Sequence, residues 1–324
     1  MIHDMQLVDF AFRAIAKGEK TYELRLNDEK RRQIRVGDRI CFSLRNSPHR
    51  VTVRVKALLP FEDFHKLYAA LPLRQCGYSE EDLPHARPKD MERFYSPEDI
   101  RKWGVLAIEI ERENAETARH YDRLIEENND PVWDPPVLKE YMDRWDGEEF
   151  LALMKPSPSK RVLEIGVGSG RLALRTAPLW KELWGIDLSL STVERAQENL
   201  SEHPNVKLIC GDFLCYDFPC TYDCIYSSLT FLHIENKQEA IQKAAMLLTE
   251  GGELLLSLDK GRERFLPSPN GELKIYPDDP DVLIGFMKKE GLSLVTKKET
   301  EAATLILAQK KSTSPLQSPQ AVIS

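Results

Sequence analysis

The sequence has no hydrophobic run that approaches the roughly 18 residues of a membrane-spanning helix. Its first residues, Met-Ile-His-Asp-Met-Gln, have neither the basic start nor the apolar block of a signal peptide. Cysteine is also scarce, with six among 324 residues, and thiols in the cytoplasm are kept reduced. We therefore expect a cytoplasmic protein with reduced cysteines and no membrane partner.

The cysteines lack the spacing of a structural zinc site. Four of them lie close together in the chain, but they do not form two Cys-x-x-Cys pairs. Two of the four, Cys210 and Cys224, lie in apolar segments, where a thiol usually packs as a small hydrophobic group. We therefore expect core cysteines and no metal.

The charge is unevenly distributed along the chain. The net charge is −7, but residues 1–112 hold 21 Lys and Arg against 18 Asp and Glu, so the rest of the chain is strongly acidic. Between Arg13 and Lys56 there are 13 basic and 5 acidic residues. This segment could face an anion such as nucleic acid, or it could be an ordinary solvated charged surface.

The length and the hydrophobic content of 42% are enough for two cores. In residues 1–112, short alternating strands with only a few helical segments predict a small β-barrel. The helices are expected at 7–17, 61–71 and after Ser96-Pro97, and the strands at 21–26, 40–42, 51–55 and 105–110.

From residue 161 onward, strands and helices alternate, which predicts an α/β fold with a doubly wound parallel sheet. The strands are expected at 161–165, 183–187, 206–210, 222–229 and 252–258, with helices at 170–180, 191–202 and 236–249. The last two strands, 292–296 and 304–308, are joined by a short polar turn and must pair antiparallel.

The two parts are joined by residues 113–136, which read as a polar helix followed by the break Asn129-Asp-Pro-Val-Trp-Asp-Pro-Pro136. We expect this helix to pack on neither core and the interface between the domains to be modest. A further helix is expected at 137–154, within a second domain of residues 137–311. Residues 312–324, rich in Ser, Pro and Gln, are predicted to be a disordered tail.

The most informative motif is Val162-Leu-Glu-Ile-Gly-Val-Gly-Ser-Gly170, an apolar strand that runs into three alternating glycines. Glycines between a strand and a helix let the backbone approach a ligand closely. Asp187 ends the next strand, where an acid can accept hydrogen bonds from a ribose, and Asp212 follows the third. The spacing Gly-x-Gly-x-Gly differs from the dinucleotide fingerprint Gly-x-Gly-x-x-Gly.

Together these features resemble the class I S-adenosylmethionine-dependent methyltransferases, a Rossmann-like family whose sheet has a reversed last strand. The resemblance implies S-adenosylmethionine as the cofactor. It further implies that Glu164 faces the amino group of the methionine part, that Asp187 binds the ribose hydroxyls and that Asp212 binds the adenine amino group. The other residues implied at the cofactor are Tyr141, Gly166, Gly168, Gly170, Phe213, Ser227 and Ser228.

The sequence says little about what is methylated. The amino-methyltransferase signature Asn/Asp-Pro-Pro-Tyr is absent from the end of the fourth strand, which reads Tyr226-Ser-Ser-Leu-Thr-Phe-Leu-His233. His233 is the best candidate for a general base, because its side chain titrates near neutrality and a strand end is close by. A capping or packing role is the alternative.

In the first domain, Lys17-Gly-Glu-Lys-Thr-Tyr-Glu-Leu-Arg-Leu26, Val36-Gly-Asp38 and Gly104-Val-Leu-Ala-Ile-Glu109 resemble an ASCH domain, a PUA-like β-barrel. The resemblance implies a cleft for RNA or a nucleoside, lined by Lys20, Thr21, Glu23 and Arg25. Some small ASCH-type proteins are amidohydrolases with a Lys-Thr-x-Thr run, but here Glu23 stands at the second threonine.

The sequence therefore predicts a methyltransferase that acts on RNA or a nucleoside held with the help of residues 1–112. One alternative is a small-molecule methyltransferase with an independent ASCH module for binding or regulation. Another is an ASCH-type hydrolase fused to a transferase.

Overall fold

The computed structural model of the protein describes residues 1–268 and 271–311. The N-terminal part is a curled sheet of five strands in the order β1-β3-β4-β5-β2, in which only β1 and β3 are parallel. Its strands are β1 (Ile2–Leu7), β2 (Tyr22–Leu26), β3 (Arg39–Leu44), β4 (Arg50–Phe61) and β5 (Val105–Arg112), and its helices are α1 (Asp9–Ala16), α2 (Phe64–Ala70) and α3 (Pro97–Trp103).

Most of these elements match the expectation from sequence, including α3, where the Ser96 hydroxyl accepts a hydrogen bond from the Asp99 amide and Pro97 takes the first helical position. The strand β1 was not predicted. Only Met5 and Leu7 of its side chains are buried, because β1 lies at the edge of the sheet, and two apolar contacts give too little alternation to recognise.

Three helices connect the two sheets: α4 (Ala115–Glu126), α5 (Pro136–Met142) and α6 (Gly147–Met154). The single helix expected at 137–154 is thus two helices. Asp146 interrupts it, because its carboxylate accepts a hydrogen bond from the Gly147 amide at 2.7 Å and caps α6.

The second sheet has seven strands in the order β13-β14-β10-β9-β6-β7-β8, and β14 alone runs antiparallel to both of its neighbours. The predicted doubly wound sheet with a reversed last strand is confirmed. Its strands are β6 (Arg161–Ile165), β7 (Glu182–Asp187), β8 (Val206–Cys210), β9 (Tyr222–Ser228), β10 (Leu248–Asp259), β13 (Leu292–Glu299) and β14 (Ala303–Lys310), accompanied by α7 (Arg171–Thr176), α8 (Leu190–Asn199), α9 (Lys237–Leu247), α10 (Pro280–Lys289) and the hairpin β11 (Phe265–Ser268) and β12 (Gly271–Lys274). The tail predicted at 312–324 lies outside the described residues.

The expectation that the connecting helix packs on neither core is wrong. Ala118 and Asp122, four residues apart on one face of α4, are buried against α8. Asp122 accepts hydrogen bonds from the Ser189 hydroxyl at 2.6 Å and the Ser191 amide at 3.0 Å. The buried face of α4 thus combines the apolar Ala118 with Asp122, whose hydrogen bonds to residues of α8 and its cap could not be recognised from the polar composition of the helix.

The interface between the domains is also larger than expected. One buried apolar cluster contains Phe12 and Val51 from the first domain and Val193 and Leu208 from the second. Part of the basic segment contacts the acidic domain, since Arg13 pairs with Glu194 and Arg50 lies 5.6 Å from the ring centre of Tyr216. The charge asymmetry of the chain is thus partly an internal complementarity.

Candidate functional site

The glycine loop lies between β6 and α7, and its three glycines all have positive φ values. At Gly166 a Cβ atom would lie 1.9 Å from Thr230 Oγ1, so the loop packs against the residues after β9 only because this position is glycine. At Gly168 a Cβ would meet nothing within 4 Å. The backbone of Gly168 therefore faces open space where a ligand can approach it.

Two acids end neighbouring strands beside this loop. Glu164 in β6 is buried and accepts a hydrogen bond from the Tyr226 hydroxyl at 2.7 Å. Burial raises the pKa of Glu164 to about 8, so its carboxyl group is largely protonated at neutral pH. Asp187 at the end of β7 accepts hydrogen bonds from the amides of Gly168 and Ser189, each at 3.0 Å. Burial raises the pKa of Asp187 as well.

The third acid, Asp212, follows β8. Its two oxygens accept hydrogen bonds from the Leu214 amide and from the side-chain amide of Asn114, each at 2.8 Å. Phe213 is buried beside it. The Lys243 ammonium donates to the carbonyl oxygens of Leu214 and Tyr216, which fixes the loop that carries these residues.

A cavity of about 930 Å³ joins these groups, and we call it the transferase cleft. Its lining includes most of the predicted residues, namely Glu164, Gly166, Gly168, Asp187, Asp212, Phe213, Ser228 and His233. The first domain and α4 supply another wall, with Arg39, Arg54, Arg112, Asn114, Thr117 and Tyr121. The cleft is therefore a joint product of both domains.

Three residues predicted at the cofactor lie outside this cleft. Gly170 caps α7, and a Cβ there would meet Leu200 at 2.9 Å, so this glycine serves packing. The Ser227 hydroxyl donates to the Ile165 carbonyl at 2.9 Å inside the sheet. Tyr141 is 47% exposed and packs edge-on against Trp145, because the break after α5 turns Met142 toward the cleft instead.

His233 lies in a short 3₁₀ helix after β9, and its Nε2 shares a hydrogen bond of 2.7 Å with the Tyr121 hydroxyl from α4. Burial lowers the pKa of His233 to about 4, so the imidazole is neutral near pH 7. Its Nδ1 is buried without a hydrogen-bond partner among the described residues. A neutral imidazole held in this way is suited to orient a polar acceptor group.

Sequence reasoning missed a buried ion pair beside the cleft. The Arg171 guanidinium donates to both oxygens of Asp146, whose side chain is fully buried. The Ser228 hydroxyl donates to Asp146 at 2.8 Å, so this pair connects the glycine loop to the end of β9. The Asp-Gly-Glu-Glu run at 146–149 was a recognisable helix cap, but nothing in the sequence indicated its partners.

A second cavity of about 970 Å³, which we call the ASCH cleft, lies wholly within the first domain. Its lining includes Lys20, Glu23 and Arg25. Glu23 lies 2.8 Å from the Arg25 Nε and 3.5 Å from the Lys20 Nζ. The Lys20 ammonium also donates to the Tyr22 and Cys76 carbonyl oxygens at 2.8 and 2.6 Å.

Thr21, the fourth residue predicted here, lies outside the ASCH cleft, and its hydroxyl donates to Gln75 at 3.4 Å. Among the described residues, none lines both cavities. The strand β1 reaches from one to the other, since Ile2 lines the transferase cleft and Gln6 lines the ASCH cleft.

Across the described ranges 1–268 and 271–311, no group of three or more His, Cys, Asp and Glu side chains is placed to hold a metal ion. Within the same ranges, no helix combines the length and the apolar character that crossing a bilayer requires.

Comparison with known families gives matches to two separate parts of the chain. Residues 5–114 match the family model described as ASCH domain, and residues 162–252 match the model described as methyltransferase domain. An uncharacterized methyltransferase from Geobacillus sp. (strain WCH70) is 32% identical over 164 residues, which is 45% of this chain and 76% of the relative. Another, from Geobacillus kaustophilus, is 26% identical over 60% of this chain and 94% of the relative.

Coverage is lower for two further relatives. The chain spans 57% of an uncharacterized methyltransferase from Anoxybacillus flavithermus at 34% identity, and 52% of one from Bacillus cytotoxicus at 35% identity. Among solved structures, the N-methyltransferase NodS from Bradyrhizobium japonicum in complex with S-adenosyl-L-homocysteine is 20% identical, with a TM-score of 0.46 over 59% of this chain and 98% of that one.

Proposed function

Since the chain belongs to the S-adenosylmethionine-dependent methyltransferases and carries an ASCH domain ahead of its transferase domain, we propose that it methylates an acceptor in the transferase cleft. The observation that carries this proposal is the set of three acids at the ends of β6, β7 and β8, placed around one glycine loop. When bound, the cofactor supplies a methyl group on a positively charged sulfur, which an electron pair of the acceptor attacks while the carbon–sulfur bond breaks.

The residues present fit this ligand. The open space at Gly168 admits the part of the ligand nearest the loop, where a side chain would intrude. Asp187 would accept from both ribose hydroxyls, each charged hydrogen bond contributing about 1.5–3 kcal/mol. Asp212 would accept from the adenine amino group, with Phe213 beside the ring, and Glu164 would face the amino group of the methionine part.

On the acceptor side, Ser228, His233 and Tyr121 line the cleft beyond the glycine loop. Alignment of acceptor, methyl group and sulfur can by itself supply roughly 7–11 kcal/mol of the barrier reduction. We propose that His233, neutral and fixed by Tyr121, orients the acceptor through a hydrogen bond, since the lowered pKa of its imidazole makes it a weak base.

For the acceptor itself, we propose an RNA held in part by the ASCH cleft. Ile2, which lines the transferase cleft, and Gln6, which lines the ASCH cleft, lie about 14 Å apart along β1 at strand spacing. A strand of RNA can span this distance, whereas a nucleoside bound in the ASCH cleft cannot. The alternative is a small-molecule acceptor that enters the transferase cleft directly, with the ASCH cleft as an independent module. A cytoplasmic location remains a prediction from composition.

The hydrolase alternative has less support. The Lys20 ammonium is engaged by two backbone carbonyls and by Glu23, and Thr21 lies outside the ASCH cleft. A lysine with its protons committed in this way is poorly placed to act as a base.

Transfer of labelled methyl groups tests the proposal. The full chain and its Asp187→Ala variant are incubated with labelled S-adenosylmethionine and either total cellular RNA or a small-metabolite fraction. We expect nuclease-sensitive label in the RNA with the unaltered chain alone, and RNA binding that weakens with salt by a slope near −0.7 per phosphate contacted. Label confined to metabolites would favour the small-molecule alternative, and label in neither fraction would contradict the activity.

A further inference from the structure

Three polar contacts reach the ends of β7 and β8 from the first domain and from the start of the segment that connects the domains. The Arg112 guanidinium donates to the Leu188 carbonyl at 2.6 Å, directly after Asp187. The Asn114 side chain donates to Asp212 at 2.8 Å. The imidazole Nδ1 of His49, in the turn between β3 and β4, accepts from the Cys210 amide at 3.0 Å, two residues before Asp212.

The hydrogen bond between the Cys210 amide and His49 lies at the free edge of the second sheet. The strand β8 is the last of its sheet and pairs with β7 alone, so one side of β8 has no neighbouring strand. A buried backbone amide without a partner is costly, and the His49 imidazole supplies that partner from the other domain. The position of β8 at the cleft therefore depends on the first domain.

Arg112 and His49 are both buried, each with 9% of its surface exposed. Arg112 donates to the Ala16 carbonyl in its own domain as well as to Leu188 in the other. Burial lowers the pKa of Arg112, and no carboxylate within the described residues forms an ion pair with it. A buried cation bonded to a carbonyl from each domain holds the two parts in one relative position.

We propose that the first domain positions the cofactor acids, with Arg112 acting on Asp187 and with Asn114 and His49 acting on Asp212. These three are positioning residues, and the inference rests on the proposed cofactor site. It goes beyond a delivery role for the ASCH domain, because it makes cofactor affinity itself depend on residues outside the transferase fold.

Asn114→Gly gives the cleanest test, because Asn114 has a φ of 55° that glycine adopts without strain. Asn128→Gly is the matched control, since exposed Asn128, at the other end of α4, has a φ of 59°. Titration calorimetry of the full chain with S-adenosylhomocysteine should show affinity about three- to tenfold weaker for Asn114→Gly and unchanged for Asn128→Gly. The melting temperatures of the two variants should agree within about 2 °C.

A second ligand separates positioning of Asp212 from a general structural effect. The 6-deamino analogue of S-adenosylhomocysteine carries hydrogen in place of the adenine amino group, and its N1 has no proton, so Asp212 has no donor to accept from. If Asn114 acts through Asp212, Asn114→Gly should weaken this ligand less than twofold. Arg112→Lys keeps the charge but cannot reach both carbonyls, and it should weaken both ligands equally because it acts at Asp187.

The possible outcomes separate the proposed function from the positioning role of Arg112 and Asn114. If the unaltered chain does not bind S-adenosylhomocysteine, the proposed function fails. If it binds, but Asn114→Gly and Arg112→Lys bind both ligands as tightly as the unaltered chain, the inference is overturned while the proposed function stands. An equal loss for both ligands in Asn114→Gly would also overturn the role assigned to Asn114.

Discussion

The transferase cleft and the ASCH cleft have similar volumes but are built in opposite ways. In the transferase cleft, Asp187 and Asp212 end separate strands, and walls come from both domains. In the ASCH cleft, Lys20, Glu23 and Arg25 come from one short segment of one domain and form ion pairs with one another. The first arrangement depends on how the domains are placed, and the second does not. Changes in the two clefts should therefore have separable effects.

The largest effects on stability and on ligand binding are expected from substitutions in the glycine loop. Gly166→Ala would force a Cβ into Thr230 and place alanine at a φ of 76°, which should lower the free energy of unfolding by up to about 5 kcal/mol. Gly168→Ala should cost only about 1–2 kcal/mol of stability, from its positive φ, yet abolish binding of S-adenosylhomocysteine. Denaturant unfolding and calorimetry would measure both quantities. Equal stability of the two variants would contradict these roles.

Substitutions in the ASCH cleft should lower the stability of the protein and leave cofactor affinity unchanged. Lys20→Met leaves Glu23 with Arg25 as its remaining cation in a buried site, and we expect a loss of about 3 kcal/mol in the free energy of unfolding. The affinity for S-adenosylhomocysteine should stay within twofold. A large loss of that affinity in a folded Lys20→Met variant would show that the two clefts are not independent.

Cofactor affinity should also depend on pH through Glu164. In the free protein burial raises the pKa of Glu164 to about 8, so the group is protonated at neutral pH and must lose a proton to face the ammonium of the ligand. Between pH 6 and 7 the dissociation constant for S-adenosylhomocysteine should fall about tenfold, and the dependence should flatten toward pH 8. Glu164→Gln should remove this dependence, and calorimetry in buffers of different ionisation enthalpy should detect one proton released on binding. A flat profile for the unaltered chain would contradict the role of Glu164.

The raised pKa of Glu164 affects stability in the opposite direction from ligand affinity. Because the folded free protein holds the Glu164 proton up to about pH 8, it binds more protons than the unfolded chain above pH 4.5. Its free energy of unfolding should therefore fall as the pH rises from 4.5 to 8, and Glu164→Gln should flatten that part of the profile.

The smallest effect on stability is expected at the contact between α4 and His233. Tyr121→Phe removes the hydroxyl bonded to His233 and should cost about 1 kcal/mol of stability, with the affinity for the cofactor unchanged. Thermal unfolding and calorimetry would check this. A loss of cofactor affinity would place Tyr121 at the cofactor rather than on the acceptor side.

The part of the site that sequence predicted was local in the chain. The glycine loop and the acid that ends each strand follow from the pattern of a strand, a turn and a helix, and they fall within about fifty residues of one another. Asn114 and Asp146 were missed because their contacts, with Asp212 and Ser228, join residues 98 and 82 positions apart. Hydrophobic periodicity records which face of an element is buried, but not which polar groups meet across a fold.

Domain packing was hard to predict for a related reason. The basic segment from Arg13 to Lys56 was interpreted as a surface for an anion or for solvent, but some of its charges are used between the domains, as in the pair of Arg13 with Glu194. Charge counts along a sequence give the total field and not the direction in which each side chain points.

The assignment of Asp187 to the cofactor ribose can be tested by titration calorimetry of the full chain and of its Asp187→Ala variant with S-adenosylhomocysteine. We expect one binding site per chain and, because two charged hydrogen bonds to the ribose are lost, a decrease in affinity of at least about a hundredfold in the variant. Absence of binding by the unaltered chain, or equal affinity in a folded Asp187→Ala variant, would contradict the assignment of the transferase cleft.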